Sequence, residues 1–196
     1  MSFFDAPPAE PMSTLVAWFD DAKATGAREP GVLALATVSE AGQVSNRIVQ
    51  TIRLTEDGLV FTSHGGSQKG RDIAATGHSS GVYYWRESGR QVIVSGPTAP
   101  LSAEASDKLW FARPVSTHPM SVAAVQSAPL DDEDKLRAEA LRLAEPGEAL
   151  PRPDQWLGYL LTPYTVEFWE AAPDRLHRRL RYDRTEDGWT VTRLQP

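Results

Sequence analysis

The chain has 196 residues, 41% of them hydrophobic and 23% charged, with a formal net charge of −6 and no cysteine. That length suits one domain, residues 1–196, with a sizeable core, and the composition suits neither a disordered chain nor a membrane protein. Without cysteine there is no disulfide, thiolate nucleophile or cysteine-ligated metal, and the acidic balance argues against a nucleic-acid partner.

No apolar run approaches the roughly 20 residues needed to span a bilayer. The start MSFFDAPPAEPM lacks the basic and apolar regions of a secretory signal, so the cytoplasm is the expected compartment. Redox chemistry in such a chain would need a borrowed cofactor.

Residues 1–10 are expected to form a flexible N-terminal arm. Between Pro11 and Gly26, the spacing of Leu15, Trp18, Phe19 and Ala22 predicts an amphipathic helix that Gly26 stops. From Gly31 the texture turns to strands: VLALATV, SNRIVQTIRL after EAGQ, and LVFTS after Asp57-Gly58, which read as two successive hairpins. SQKGRDIAA (67–75) reads as a short helix capped by Ser67, and GVYYWRE with RQVIVSG as a hairpin around Ser88-Gly89. SAEASDKLWFA (102–112) and DDEDKLRAEALRLA (131–144) return to helical texture, the acidic start of the second favouring a helix N-terminus that faces water. After the proline-rich connection PGEALPRPD come four strand-like runs, WLGYLLTP, TVEFWEA, RRLRYDR and WTVTRLQP. Strands arriving as hairpins predict an α+β, mainly antiparallel β fold: a sheet or barrel with peripheral helices.

Three stretches have the makings of chemistry. In FTSHGGSQKGR (61–71) a strand ends, glycines loosen the loop and a helix begins with Lys69 and Arg71, which suits a phosphate. It is not a Walker A loop, and a capped surface helix with solvated cations is the plain alternative. In SNRIVQT, Arg47 and the core-forming Ile48 point to opposite faces; Arg47 either makes a cross-strand ion pair or shares a phosphate with Lys69. In RLHRRLRYDR, alternation places Arg175, His177 and Arg179 on one face, for a carboxylate, a phosphate or the acidic helices. The four histidines show no metal-ligand spacing and no serine sits in a GxSxG elbow, so neither a metal nor a serine nucleophile is expected. ARPVSTHPM (112–120) gathers an arginine, hydroxyls and a histidine between two prolines, a polar loop fit to hold a ligand.

From about Pro11 to Pro196 the chain resembles the pyridoxamine 5′-phosphate oxidase family. The resemblance rests on RIV (47–49), VFTSHGGSQKGR (60–71), YYWRESGRQVIVSG (83–96), RP (113–114), QS (126–127), EFW (167–169), RLHRRLRYDR (175–184) and the closing RLQP. It implies a split β-barrel homodimer with FMN at the subunit interface. The implied cofactor set is Arg47, Ile48, Val49, Gln50, Thr62, Ser63, Gln68, Lys69, Gln91, Gln126, Ser127, Trp169 and Arg179, some of them supplied by the partner subunit. Arg47 and Lys69 would hold the FMN phosphate; Gln68 stands where arginine is common.

The implied substrate set is Ile52, Leu109, Arg113, Thr117, His118, Arg175 and His177. Ile52 and Leu109 stand where the vitamin B6 enzymes have a lysine and a tyrosine around the substrate phosphate. Losing those two contacts removes roughly 2 to 4 kcal/mol of phosphate binding. SQKGR, SGVYYWRE, ARPVSTHPMS, LPRPD and RLRYDR are similar to the branch of the family found in phenazine biosynthesis. That similarity implies an FMN-dependent oxidase that aromatises a reduced phenazine carboxylate. A hydride would pass to flavin N5, with O2 reoxidising the flavin to give hydrogen peroxide and His177 and Arg175 as candidate catalytic groups. A pyridoxine or pyridoxamine phosphate oxidase with an altered phosphate pocket, and a non-catalytic flavin or ligand carrier, are the alternatives.

Overall fold

The structure, a computed structural model, describes residues 3–196. Nine strands form one antiparallel sheet in the order β4-β1-β2-β3-β6-β5-β7-β8-β9. They are β1 (Val32–Val38), β2 (Val44–Thr55), β3 (Gly58–His64), β4 (His78–Trp85), β5 (Arg90–Pro100), β6 (Trp156–Leu161), β7 (Thr165–Glu170), β8 (Arg178–Thr185) and β9 (Gly188–Leu194). Pairing of β4 with β5 closes the first six into a barrel, and β7, β8 and β9 extend as a flange from the first half of β5.

Alternation builds the barrel interior. Leu33 and Leu35 of β1, Val49 of β2, Phe61 of β3, Tyr83 of β4 and Val92 and Val94 of β5 all turn inward and are buried. The strand β5 serves two neighbours because Arg90–Ser95 pairs with β7 and Thr98–Pro100 with β6. Between them lies Gly96, where a Cβ would stand 1.9 Å from the Thr162 carbonyl oxygen, so only glycine lets the chains cross there.

The helices are α1 (Pro11–Ala24), α2 (Gln68–Thr76), α3 (Ala103–Phe111), α4 (His118–Ala123) and α5 (Glu133–Ala144), with a 3₁₀ turn at Val115–Thr117. Ser67, Ser102 and Asp132 cap α2, α3 and α5 through their side chains. The 3₁₀ turn and α4 replace the polar loop expected at ARPVSTHPM. Its prolines read as breakers, but Pro119 sits in the first turn of α4, where a missing N–H has no intrahelical partner to lose.

Two further expectations are corrected. Within the expected flexible arm, Met1 and Ser2 lie outside the described residues, but Phe4 is buried and the Phe3 ring stands edge-on to Trp18 and Phe168 at 5.7 and 4.9 Å. Pro8 also accepts the Tyr182 hydroxyl at 3.1 Å, so residues 3–8 are docked by aromatic burial although residues 5–10 are exposed. Arg175 and His177 do not alternate with Arg179, because β8 starts only at Arg178; both lie in the preceding turn, where Arg175 takes φ 67°.

The docked arm makes a stability prediction. Phe4→Ala is expected to destabilise the protein by about 3 kcal/mol in urea unfolding, whereas an undocked arm would leave the midpoint where it was.

Candidate functional site

The site begins where β3 runs out. Gly65 and Gly66 turn the chain, Ser67 caps α2, and the helix brings Lys69 back under the end of the barrel with 8% of its surface exposed. Its ammonium donates to Ser63 Oγ at 3.0 Å, Ser67 Oγ at 3.4 Å and Gln126 Oε1 at 3.4 Å, all neutral oxygens. Among the described residues no carboxylate pairs with it. Burial, and then the charge of Arg47, push the Lys69 ammonium below its ordinary value. A buried cation whose contacts are longer than the about 2.7–2.9 Å of charge-assisted bonds has electrostatic room for an anion.

Other donors converge on the same place. Gln126 Oε1 also takes the Ser63 hydroxyl at 3.1 Å and the His64 N–H at 3.4 Å. Ser127, held at φ 69°, accepts the Gln68 N–H of the first turn of α2. Arg47 lies across the barrel end and donates to the Leu35 carbonyl, Thr37 and Ser45. Burial lowers its pKa, and the nearby Asp72 works against that shift. The donor set fits the phosphate of a flavin nucleotide: two cations, hydroxyls and a helix N-terminus.

A cleft of about 340 Å³ adjoins this cradle through Thr62, Ser63, His64 and Gln126. Its far wall holds Arg113, whose guanidinium lies 5.0 Å from the Trp110 ring and 5.1 Å from the Trp156 ring. One arm, Nη2, donates to Ser121 Oγ at 3.0 Å; the other, Nη1, is buried with no partner. His64 Nδ1 is likewise buried without a partner. Burial, and then Lys69, lower the His64 pKa from 6.5, so its imidazole is neutral at pH 7. A cleft with an idle arginine donor on one wall and a neutral imidazole on the other is built for a flat anion.

A second group stands apart on the flange. Register sets Gln91 of β5 beside Trp169 of β7, and Trp169 beside Arg179 of β8. The His177 ring lies 4.8 Å from Trp169, and His177 Nδ1 accepts the Ala172 N–H at 3.1 Å. Arg179 pairs with Glu167 at 2.7 Å. None of these four residues lines the cleft beside Arg113.

The structure therefore brings Arg47, Lys69, Ser63, Thr62, Gln68, Gln126, Ser127 and Arg113 to one end of the barrel, and Gln91, Trp169, Arg179 and His177 to another place. Several expected contacts are corrected. His118 is 1% exposed, stacked on Trp110 at 4.2 Å, with Nε2 on the Trp110 carbonyl and Nδ1 accepting the Leu150 N–H, so it braces the proline-rich connection and cannot reach a substrate. Leu109 packs toward Gly158, and Ile52 faces a different groove, beside Phe19 and Gln50, so the two make no common wall in one protomer. Ile48 is 64% exposed while Val49 is buried, so Arg47 shares its face with the core and Ile48 does not. The Thr117 hydroxyl is spent on the Pro114 carbonyl at 2.8 Å.

Residues the sequence did not single out are His64, Ser121, Trp156 and Asp72. His64 lay inside the quoted FTSHGGSQKGR and Asp72 inside SQKGRDIAA, but only burial distinguishes them from ordinary loop and helix residues. Trp156 read as a strand start and nothing more.

Residues 19–144 match the family model described as pyridoxamine 5′-phosphate oxidase, and residues 156–196 the pyridoxine 5′-phosphate oxidase C-terminal dimerisation region. The chain is 46% identical over 193 residues to the dihydrophenazinedicarboxylate synthase of Burkholderia lata, covering 98% of this chain and 91% of that one. It is 40% identical over 196 residues to the pyridoxine/pyridoxamine 5′-phosphate oxidase of Burkholderia multivorans, covering 98% and 91%. The crystal structure of PhzG from Burkholderia lata 383 in complex with tetrahydrophenazine-1-carboxylic acid superposes with a TM-score of 0.98 at 45% identity, covering 100% of this chain and 97% of that one. No helix among the described residues is long and apolar enough to cross a membrane.

The buried ammonium has a measurable signature. With its folded value below the 10.5 of an ordinary lysine, Lys69 binds its proton more weakly in the folded than in the unfolded chain. The flavin-free protein should then gain stability relative to Lys69→Met as pH rises through the depressed value toward 10.5. Urea unfolding of both proteins from neutral to alkaline pH checks this, and parallel pH profiles would remove the uncompensated cation.

Proposed function

The chain belongs to the pyridoxamine 5′-phosphate oxidase family of flavin-dependent oxidoreductases, and from that premise we propose that it is an FMN-dependent oxidase that dehydrogenates reduced phenazine carboxylates. The observation that carries the cofactor reading is the buried Lys69, held beside Arg47 with no carboxylate partner. The observation that carries the substrate reading is the unpartnered Nη1 of Arg113 on the wall of the adjoining cleft. The family match supports the first and the likeness to the dihydrophenazinedicarboxylate synthase and PhzG of Burkholderia lata the second.

Lys69 and Arg47 would hold the FMN phosphate, with Ser63, Gln126 and the first turn of α2 completing the cradle. Bound flavin would accept a hydride from the reduced ring and pass two electrons to O2, giving hydrogen peroxide. The rest of the work is orientation, for which a planar arginine is well suited. Trp110 and Trp156 keep the Arg113 guanidinium flat and dry, so that Nη1 meets a carboxylate in a low-dielectric setting. Ile52 and Leu109, standing where the vitamin B6 enzymes have a lysine and a tyrosine, disfavour a phosphate on the substrate.

His177 belongs to the second group, and its Nδ1, which accepts the Ala172 N–H, leaves Nε2 as the ring nitrogen free to donate; Arg175 lies two residues earlier in the same turn. A homodimer formed through the C-terminal region would set the flange group of one protomer against the cradle of the other, with flavin between them. His177 would then handle a proton or anchor a carboxylate.

Anaerobic mixing with tetrahydrophenazine-1-carboxylic acid is expected to bleach the flavin absorbance, and admitted air to restore it. Flavin that stays oxidised would mean a carrier, and brisk turnover of pyridoxine phosphate would make this a vitamin B6 enzyme. Arg113→Ala should raise KM for the phenazine carboxylate by about tenfold or more, the worth of one charge-assisted bond, with flavin content unchanged. Loss of flavin in that variant would move Arg113 to the cofactor.

A further inference from the structure

Behind Arg47 lies a buried carboxylate that the cradle does not use directly. Asp72 of α2 is 2% exposed, and its Oδ2 accepts the Thr37 hydroxyl at 2.6 Å and the Ser45 hydroxyl at 3.0 Å. Its Oδ1 accepts Gln68 Nε2 at 2.8 Å, one helical turn back. Each hydroxyl has one proton, and both protons point at Asp72. The lone pairs left over face Arg47, whose Nη1 donates to Thr37 Oγ1 at 2.7 Å and Nη2 to Ser45 Oγ at 2.6 Å. The guanidinium itself stays 4.0 Å from Asp72.

We propose that Asp72, acting through the Thr37 and Ser45 hydroxyls, is the positioning residue that holds Arg47 ready for the flavin phosphate without capturing it. The two hydroxyls are a spacer. A direct arginine–carboxylate pair closes to about 2.7–2.9 Å and uses up the planar fork that would otherwise meet phosphate. At 4.0 Å the carboxylate still offsets part of the cost of burying the guanidinium, while the bonds of Nη1 to Thr37 and the Leu35 carbonyl and of Nη2 to Ser45 fix its plane and leave Nε and the second Nη2 proton for the phosphate. Thr37 and Ser45 face each other across β1 and β2, so the barrel register fixes the gap. Gln68, tied to the other oxygen, is steadied by the same carboxylate. Burial pushes the Asp72 carboxyl up, but the hydrogen bonds from Thr37, Gln68 and Ser45 and the charge of Arg47 together hold it below the usual range, so the arrangement persists at working pH.

The inference rests on the reading of Arg47 and Lys69 as a phosphate cradle, and the test separates the two. Thr37→Val keeps the side-chain shape and every charge but removes the hydroxyl, letting Arg47 fall onto Asp72. Affinities of the flavin-free protein for FMN and for riboflavin, which lacks the phosphate, are measured by flavin fluorescence quenching. Thr37→Val is expected to weaken FMN binding about tenfold or more with riboflavin binding unchanged, and Thr37→Ser to restore the wild-type ratio. Equal losses for both flavins, or no loss for either, would overturn the spacer. A wild-type protein that binds FMN no better than riboflavin would instead overturn the cradle.

Discussion

A buried ammonium without a counter-charge governs this molecule. Lys69 is sheltered under the end of the barrel, beside Arg47, and its protein partners are neutral oxygens at 3.0 to 3.4 Å. Such a group costs stability in the folded chain and is retained where an anion will meet it. The surrounding structure serves that placement: the glycine turn after β3, the Ser67 cap, the inward face of β2, and Gln126 and Ser127, which come back from the far side of α4 to reach α2.

The same economy appears in the cleft. Among the described residues, the two buried side-chain nitrogens left without partners, on Arg113 and His64, belong to walls of one cavity that opens beside Lys69. Folded proteins satisfy nearly all such atoms, so two in one place point to a ligand. Trp110 takes part twice: its ring stacks on Arg113, and its Nε1 donates to the Leu150 carbonyl at 2.7 Å. The proline-rich connection is thereby strapped to α3, and that strap brings Trp156 edge-on to Trp110 at 5.1 Å, so that both rings border the guanidinium. A segment that reads as a linker is a structural part of the cleft.

The division of the expected site residues into a cradle group and a flange group has a topological cause. The flange leaves the barrel at β5 and carries Gln91, Trp169 and Arg179 in one row across three strands, away from the end where α2 lies. The C-terminal dimerisation region contains β6 to β9, the strands that include the flange. The stretch of chain that matches the dimerisation region thus also carries Trp169, His177 and Arg179.

Much of this was legible in the residues. Period-two runs and Asp-Gly turns set out the strands, Ser67 announced the start of α2, and the motif order from RIV to RLQP identified the family and hence the barrel. Pattern failed where burial reverses the usual sense of a residue. Arg47 turned out to share the inner face while Ile48 faces outward, because Thr37, Ser45 and Asp72 supply the oxygens that let a guanidinium go inside. His118 read as an anchor and is a brace, since both ring nitrogens are taken by backbone groups distant in sequence. The sequence by itself determined the element order, the class of fold and the types of side chain available for an anion. Tertiary structure alone decided which of those side chains are left unpaired, because hydrogen-bond satisfaction depends on partners up to dozens of residues away that no local spacing reveals.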